Sequence, residues 1–284
     1  MIPSSFEYVK ATSVAEAVSA LAGADDAKVL AGGQSFIPIL RLKLASPDVV
    51  VDLNAVAELR GITDDGDALV IGSMTTHHDV LTNGLVAEHA PLLAQATATV
   101  ADPQVRHRGT FGGALAHADR ASDLPGVALV HGAQLTAVGP NGTRTIAAAD
   151  FFVDYLTTAL AEDEILTSIR LPKLPGWGAH YEKFNRTAQA WAIVGVAAAV
   201  RRSNGSIAEA RIALTNMGST HLRAAATENA LAGAEATSAA VHGASRLAAQ
   251  GTNPPSDQNG QADYRSELAR VLTHRAVCRA AGLS

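Results

Sequence analysis

Two short loops, each built around a pair of adjacent glycines, constrain this chain more than any other feature. The first loop covers residues 31–35 (AGGQS), and the second covers residues 110–114 (TFGGA). Because glycine carries no Cβ, the backbone N–H groups of such loops can approach a ligand closely. Consecutive free N–H groups form a concave anion site. A helix that begins at Phe36, with Ser35 at its N-cap, would add the electrostatic field of its N-terminus, which favours phosphate. The two loops predict one phosphate-rich ligand held from two sides, although either loop alone is equally typical of a tight turn.

The composition excludes several classes of partner. The chain has 284 residues, of which 48% are hydrophobic and 17% charged, enough for one large or two modest domains. A net charge of −5 does not favour nucleic acid or an acidic membrane surface. The start of the sequence shows no signal segment, and no apolar run reaches transmembrane length, so we expect a cytoplasmic location.

The cysteine content limits the chemistry. Cys278 is the only cysteine, so a disulfide within the chain is impossible and an iron–sulfur cluster lacks its thiolates. We expect Cys278 to be a small packing residue. His77 and His78 lack partners at zinc-site spacing, which favours a surface or helix-capping position over a metal site. His117 and Asp119 have no serine nucleophile nearby, so we interpret this pair as loop structure beside the ligand. We predict no catalytic residue and no metal ligand in this chain.

The order of the predicted elements indicates an α+β protein. Strands and helices alternate in the first half of the chain, whereas the second half reads as a meander of strands followed by alanine-rich helices. The prolines and glycine of residues 172–176 mark the best domain boundary. Asn204 and Gly205 predict a hairpin between two strands of the meander.

The motifs that usually accompany dinucleotides or nucleoside phosphates are missing. The sequence contains no G-x-G-x-x-G run, no G-x-x-x-x-G-K-[ST] loop and no G-x-S-x-G elbow. A dinucleotide must therefore be held by a different design.

Six separated motifs, in order along nearly the whole chain, carry a specific resemblance. They are residues 28–35 (KVLAGGQS) with 42–45 and 51–53, 101–106 (ADPQVR) with 109–114, 121–125 (ASDLP), 150–152, 164–166 and 181–184 (YEKF). Together they resemble the FAD-binding medium subunit of the molybdenum hydroxylases, the xanthine dehydrogenase family. Residues 1–3, 71–76 and 213–216 are most similar to the carbon monoxide dehydrogenase subgroup of that family.

The resemblance implies a fold and a division into domains. It implies a two-lobed FAD-binding domain of the vanillyl-alcohol oxidase type over residues 1–174, with lobes of approximately 1–56 and 57–174. A C-terminal α+β domain over residues 175–284 would then carry a small antiparallel sheet with C-terminal helices.

The resemblance also implies which residues contact a non-covalent FAD. Both glycine loops would contact its pyrophosphate, Asp123 its adenosine end, Leu166 would pack on it, and Lys183 and the aromatic Trp191 would lie near the flavin. The full set of implied contacts is Lys28, Val29, Leu30, Ala31, Gly32, Gly33, Gln34, Ser35, Val100, Ala101, Thr110, Phe111, Gly112, Gly113, Ala114, Ala116, Asp123, Leu166, Lys183 and Trp191.

Some of these positions have a structural alternative or depart from the family pattern. Asp123 could instead cap a helix, and Lys183 could be an ordinary surface lysine. Arg106 and Arg108 could offset phosphate charge or be solvated. The chain has Ala190, Ala114 and Phe111 where relatives often carry Asp, Asn and Ile or Leu, respectively, changes that leave the loop backbones intact.

The resemblance finally implies an electron-transfer function. FAD would take electrons from two [2Fe-2S] clusters in a small partner subunit and pass them to an acceptor such as quinone. A large subunit with the molybdopterin cofactor would oxidise carbon monoxide or, alternatively, an N-heteroaromatic compound or purine. The assembly would be a dimer of heterotrimers, peripheral at the inner face of the membrane through the complex. A non-catalytic nucleotide-binding module is the competing class of function.

Overall fold

The first lobe is a small parallel sheet with two helices. The computed structural model describes residues 2–283, and the three strands of this lobe pair in the order β1-β3-β2. Its elements are β1 (Glu7–Lys10), α1 (Val14–Ala22), β2 (Ala27–Leu30), α2 (Phe36–Arg41) and β3 (Val49–Asp52). Helix α1 begins where the sequence predicts, because the Ser13 hydroxyl accepts the Glu16 N–H at 3.2 Å.

The second lobe is built on a five-stranded antiparallel sheet of order β4-β5-β10-β6-β7. A 3₁₀ turn over Ala57–Leu59 leads into this lobe. Its elements are β4 (Ile62–Asp64), β5 (Ala68–Gly72), α3 (His77–Thr82), α4 (Gly84–His89), α5 (Pro91–Ala98), α6 (Pro103–Arg106), α7 (Phe111–His117), α8 (Leu124–His131), β6 (Gln134–Gly139), β7 (Gly142–Ala147), α9 (Ala148–Phe151), β8 (Phe152–Asp154), β9 (Thr157–Thr158) and β10 (Ile165–Pro172).

The C-terminal part is a four-stranded antiparallel sheet followed by helices. The strands lie in the order β11-β12-β13-β14. Its elements are β11 (Trp177–Phe184), β12 (Val194–Ser203), β13 (Ser206–Thr215), β14 (Leu222–Arg223), α10 (Ala225–Leu231), α11 (Ser238–Ser245) and α12 (Ala262–Ala280). The predicted hairpin is confirmed, since Asn204 and Gly205 join β12 to β13 with φ angles of +48° and +80°.

Strand β12 explains how the C-terminal sheet is joined to the second lobe. Ala197 and Ala199 lie in the hydrophobic core shared with the second lobe, whereas Val196, Ala198 and Val200 pack in the core under the C-terminal helices. A strand covered on both faces is expected to be apolar without alternation, as this one is. The α+β fold class is therefore confirmed, with the antiparallel sheet and its helices at the C-terminal end. In the part of the chain that the structure describes, no helix is long and apolar enough to cross a bilayer.

Two buried histidines connect distant parts of the fold. The His131 ring donates from Nδ1 to the carbonyl of Pro172 at 2.8 Å, and His221 donates from Nε2 to the carbonyl of Ser122 at 2.7 Å. Burial lowers the pKa of both rings from the usual 6.5 to about 4. Both histidines are therefore neutral in the folded protein at physiological pH.

We predict that these histidines make the protein less stable as the pH falls from 6.5 towards 4. In that window the unfolded chain binds protons that the folded chain does not, so the stabilisation present above pH 6.5 is progressively lost. Each histidine contributes a slope approaching about 1.4 kcal/mol per pH unit. Urea unfolding of wild type and His131→Gln, which keeps an N–H donor, should show a shallower pH dependence in the variant. If the free energy of unfolding falls equally steeply with pH in wild type and His131→Gln between pH 4.5 and 6.5, this account of His131 is contradicted.

Candidate functional site

A cleft of about 530 Å³ lies where the two lobes and the C-terminal sheet meet. All three units contribute side chains to it, which is typical of a ligand site. Most of the residues implied to bind the cofactor line this cleft: Lys28, Val29, Ala31, Gly32, Gly33, Gln34, Ser35, Val100, Ala101, Thr110, Gly113, Ala114, Ala116, Asp123, Lys183 and Trp191.

Four of the implied contacts do not line the cleft. Phe111 and Leu166 are buried in the core of the second lobe. Leu30 lies at the end of β2, and its side chain packs near Gly33. Gly112 faces Ser73 instead of the cleft. These residues support the wall behind the site.

The cleft also contains residues that sequence reasoning missed. These residues are Phe36, His77, Val105, Gly109, Ser122, Leu124, Gln189 and Ala190. Most adjoin a predicted segment, so extending each segment by a residue or two would have found them. Val105 lies within the 101–106 motif, whereas His77 arrives only through tertiary packing and carries no such signal. His117, expected in a loop beside the ligand, also lines the cleft, as the last residue of α7.

The surface or capping position expected for His77 is wrong. Its side chain is buried at the wall of the cleft, and its ring lies against Gly109. Burial, aided by the charge of Arg106, lowers the pKa of His77 to about 4. His77 therefore presents a neutral imidazole to the site at physiological pH.

The first glycine loop has the geometry of an anion site. Among residues 2–283, the backbone N–H groups of Gly32, Gly33, Gln34 and Ser35 have no hydrogen-bond acceptor. The carbonyls of the loop are nevertheless fixed, because Gly33 accepts from the Ile37 N–H at 3.0 Å and Ala31 accepts from Asn54 Nδ2 at 3.1 Å. Free donors on a fixed backbone are what a phosphate group requires.

Ser35 and Gly33 complete this loop. Ser35 stands at the N-cap of α2 but makes no capping hydrogen bond, so its hydroxyl is available to a ligand. Gly33 has a φ of +76°, a left-handed conformation that a residue with a Cβ rarely adopts. The predicted helix start at Phe36 is confirmed.

The second glycine loop differs from the first because the N–H groups of residues 111–114 are already hydrogen-bonded. Phe111 donates to Thr75 at 2.9 Å, Gly112 to Ser73 at 2.9 Å, and Ala114 to Thr110 at 3.0 Å. The Gly113 N–H reaches the Thr110 hydroxyl at 3.2 Å. This loop therefore forms a wall of the cleft, and the two loops are not equivalent anion sites.

The glycines allow the two lobes to touch. A Cβ on Gly32 would collide with the carbonyl of Arg108 and lie 2.7 Å from the Cα of Gly109. A Cβ on Gly113 would lie 3.4 Å from that of Ala31. Sequence reasoning assigned these glycines to ligand approach, whereas the structure adds a second reason, which is backbone packing between the lobes.

Asp123, Lys183 and Tyr181 form a buried polar cluster at the cleft. Lys183 Nζ lies 2.8 Å from Asp123 Oδ2 and donates to the carbonyl of Thr99 at 3.0 Å. The Tyr181 hydroxyl donates to Asp123 Oδ1 at 2.6 Å. The side chains of Lys183 and Asp123 are only 5% and 4% exposed, so the pair joins the C-terminal sheet to the second lobe inside the protein.

Burial sets the titration of this cluster. It raises the pKa of Asp123, while the Lys183 ammonium and the Tyr181 hydroxyl oppose that shift. Burial and the neighbouring carboxylate raise the pKa of Tyr181 well above 10. Both structural alternatives from the sequence are wrong, because Asp123 makes no capping hydrogen bond and Lys183 is not on the surface.

Arg106 and Arg108 have different environments. Arg106 Nη1 donates to the carbonyl of Val100 at 2.8 Å and thereby supports the turn at Ala101, which has a φ of +40°. Val100 and Ala101 both line the cleft. Arg108 is exposed, and its backbone carbonyl faces Gly32. Arg106 therefore acts on the site through the backbone that it holds.

Comparison with known proteins agrees with this geometry. Residues 4–174 match the family of the FAD binding domain in molybdopterin dehydrogenase, and residues 179–280 match the CO dehydrogenase flavoprotein C-terminal domain. The chain is 40% identical to the carbon monoxide dehydrogenase medium chain of Hydrogenophaga pseudoflava over 98% of its own length and 97% of the relative's.

Two solved structures share the whole fold. A carbon monoxide dehydrogenase from Hydrogenophaga pseudoflava that lacks the Mo-pyranopterin moiety superimposes with a TM-score of 0.96 at 42% identity, covering 99% of this chain and 98% of that one. Quinoline 2-oxidoreductase from Pseudomonas putida 86 gives 0.96 at 33% identity, covering 99% of each chain. The chain therefore belongs to the family of FAD-binding subunits of molybdopterin dehydrogenases, a family of oxidoreductase subunits.

Proposed function

We propose that this chain binds FAD non-covalently in the cleft and serves as the electron-transfer subunit of a molybdenum hydroxylase of the carbon monoxide dehydrogenase type. The observation that carries the proposal is the row of free N–H groups from Gly32 to Ser35, which opens into a cleft lined by all three units. Neither glycine loop contains a histidine or cysteine to which a flavin could be attached. We further propose that residues 1–174 and 175–284 are the two domains of the chain.

The residues of the cleft suggest how the cofactor would be held. The first loop would bind the pyrophosphate through its backbone donors, and the second loop would form the opposite wall. Each oxygen of Asp123 has one protein partner and retains a free lone pair, so the carboxylate can still accept from a ribose hydroxyl. Lys183 Nζ lies 2.8 Å from Asp123 Oδ2, so its positive charge would meet the same part of the cofactor as Asp123 does, and Trp191 would cover the flavin.

The proposed reaction requires other subunits. When bound, FAD supplies the electron-transfer chemistry, while this chain binds and orients it and excludes water from part of the cleft. With a single cysteine the chain holds no iron–sulfur cluster by itself. We propose a small subunit with two [2Fe-2S] clusters and a large molybdopterin subunit as partners, in a dimer of heterotrimers that reduces quinone.

The substrate of the complex is carbon monoxide in this proposal. Carbon monoxide and water would give carbon dioxide, two protons and two electrons at the large subunit. The identity to a carbon monoxide dehydrogenase medium chain supports this substrate. The likeness to quinoline 2-oxidoreductase favours an N-heteroaromatic compound as the second candidate. The cleft of this chain holds the cofactor and not the substrate, so it fits either reaction.

We predict that Gly32→Ala weakens FAD binding by roughly tenfold or more, because the new methyl group forces the first loop away from the second. Titration of the apo chain with FAD, followed by flavin fluorescence, measures the affinity. Gly72→Ala is the matched control: its Cβ would also meet backbone, at Leu59 and Arg60, but Gly72 does not line the cleft. This control should lose stability and keep its FAD affinity.

Equal affinities in Gly32→Ala and wild type would refute the two-loop cleft as the FAD site. A wild-type chain that takes up no FAD would favour a binding module of another kind.

We predict that the flavin on the isolated chain is reduced by dithionite but not by carbon monoxide. The purified native complex should reduce its flavin with carbon monoxide, because the partner subunits then supply electrons. Absorbance of the flavin measures both reactions, and quinoline tests the second candidate substrate in the same assay. Reduction of the flavin by carbon monoxide in the isolated chain would overturn the electron-relay assignment.

A further inference from the structure

A short segment that crosses the mouth of the cleft carries the exposed aromatic residue of the site. Residues 185–193 connect β11 to β12; residues 185–191 of this connection are here called the strap, and Gln189, Ala190 and Trp191 line the cleft. The Trp191 side chain is 54% exposed, and its indole has no hydrogen bond to any of residues 2–283. Its position therefore depends on the backbone that carries it.

Asn216 fixes the peptide that joins Ala192 to Ile193. Asn216 Nδ2 donates to the carbonyl of Ala192 at 2.8 Å, and both residues are buried. Asn216 has a left-handed φ of +64°, and its own N–H donates to the carbonyl of Arg120 at 2.8 Å. Because Arg120 lies between α7 and α8, this residue ties the strap to the second lobe.

Arg265 fixes the next peptide. The Arg265 side chain is fully buried, and its Nη1 donates to the carbonyl of Ile193 at 2.5 Å. Its Nη2 forms an ion pair with Asp257 at 2.7 Å, which orients the guanidinium from the polar loop before α12. The Ile193 N–H donates to the carbonyl of Phe184 at 2.8 Å, so both ends of the strap are joined.

We propose that Asn216 and Arg265 are positioning residues that hold Trp191 over the cofactor cleft. Neither side chain lines the cleft, and each binds one of the two consecutive carbonyls that follow Trp191. These bonds fix the Ala192–Ile193 and Ile193–Val194 peptides, so the backbone is anchored one residue after Trp191 and the positions open to its indole are limited before the cofactor binds. The inference rests on the proposed function only in taking FAD as the ligand that the indole covers.

A purely structural role for these residues makes a different prediction. Breaking a buried hydrogen bond lowers stability wherever it occurs, but it should change the mobility of Trp191 only if the bond positions that residue. The sequence contains two tryptophans, so Trp177→Phe leaves Trp191 as the single emitter. Fluorescence anisotropy and acrylamide quenching of the apo chain then report on Trp191 alone.

The experiment compares Asn216→Gly and Arg265→Met in the Trp177→Phe background. Glycine tolerates the left-handed backbone at position 216, so Asn216→Gly removes the amide with little strain. We expect lower anisotropy and faster quenching of Trp191 in both variants, and roughly fivefold weaker FAD binding. Arg265→Lys, which keeps a charged donor, should give a Trp191 anisotropy and quenching rate between those of Arg265→Met and the background protein. Arg202→Met is the control for the loss of an arginine–carbonyl bond elsewhere, because the exposed Arg202 binds the carbonyl of Ala281 at 2.8 Å, far along the chain from the strap.

The outcomes separate this inference from the proposed function. Folded variants whose Trp191 anisotropy and quenching equal those of the background protein would overturn the positioning role, whether or not FAD binds. A loss of Trp191 order in both variants, but not in Arg202→Met, supports the role even if wild type takes up no FAD, in which case only the proposed function fails. If Asn216→Gly and Arg265→Met do not fold, the anisotropy of Arg265→Lys decides: a value equal to that of the background after loss of one donor would contradict the role, and a lower value supports it.

Discussion

The close approach of Gly32 to the backbone of Arg108 and Gly109 is the contact on which the cofactor cleft depends. The first lobe is a separate three-stranded sheet whose helix α1 packs on β6 and β10 of the second lobe, and at the cleft the two lobes meet at this backbone contact. The contact leaves no room for a Cβ, so packing between the lobes requires glycine at position 32 whether or not a ligand binds. With the loops in contact, the free N–H groups of the first loop face the same cleft that the second loop closes from behind.

The buried Lys183–Asp123 pair joins the third unit to this site. Removing one partner of such a pair leaves an uncompensated charge in the interior and typically costs about 3–5 kcal/mol, so the two residues are strongly interdependent. The Tyr181 hydroxyl donates to the other oxygen of Asp123, and the carbonyl of Thr99 accepts a second hydrogen bond from Lys183. The C-terminal sheet thus reaches the cleft through a fixed polar contact, and the strap that carries Trp191 begins directly after it.

The sequence was most informative where function depends on local backbone. The glycine loops, the Asn204-Gly205 hairpin and the start of α2 follow from residue types over a few positions, and all are present. Long-range contacts could not be predicted from local patterns. His77 is buried because the second lobe closes over it, and the N–H groups of the second loop are used because Thr75 and Ser73 happen to lie opposite. The family resemblance supplied the cleft residues, but not the difference between the loops.

That difference gives the most direct test of the central claim. Amide hydrogen–deuterium exchange of the chain, measured with and without saturating FAD, reports on each loop separately. The account predicts strong protection of residues 32–35 when FAD binds, because their N–H groups then gain acceptors, and a much smaller change at residues 111–114, which are already hydrogen-bonded. Protection confined to the second loop, or FAD binding without protection of residues 32–35, would contradict it.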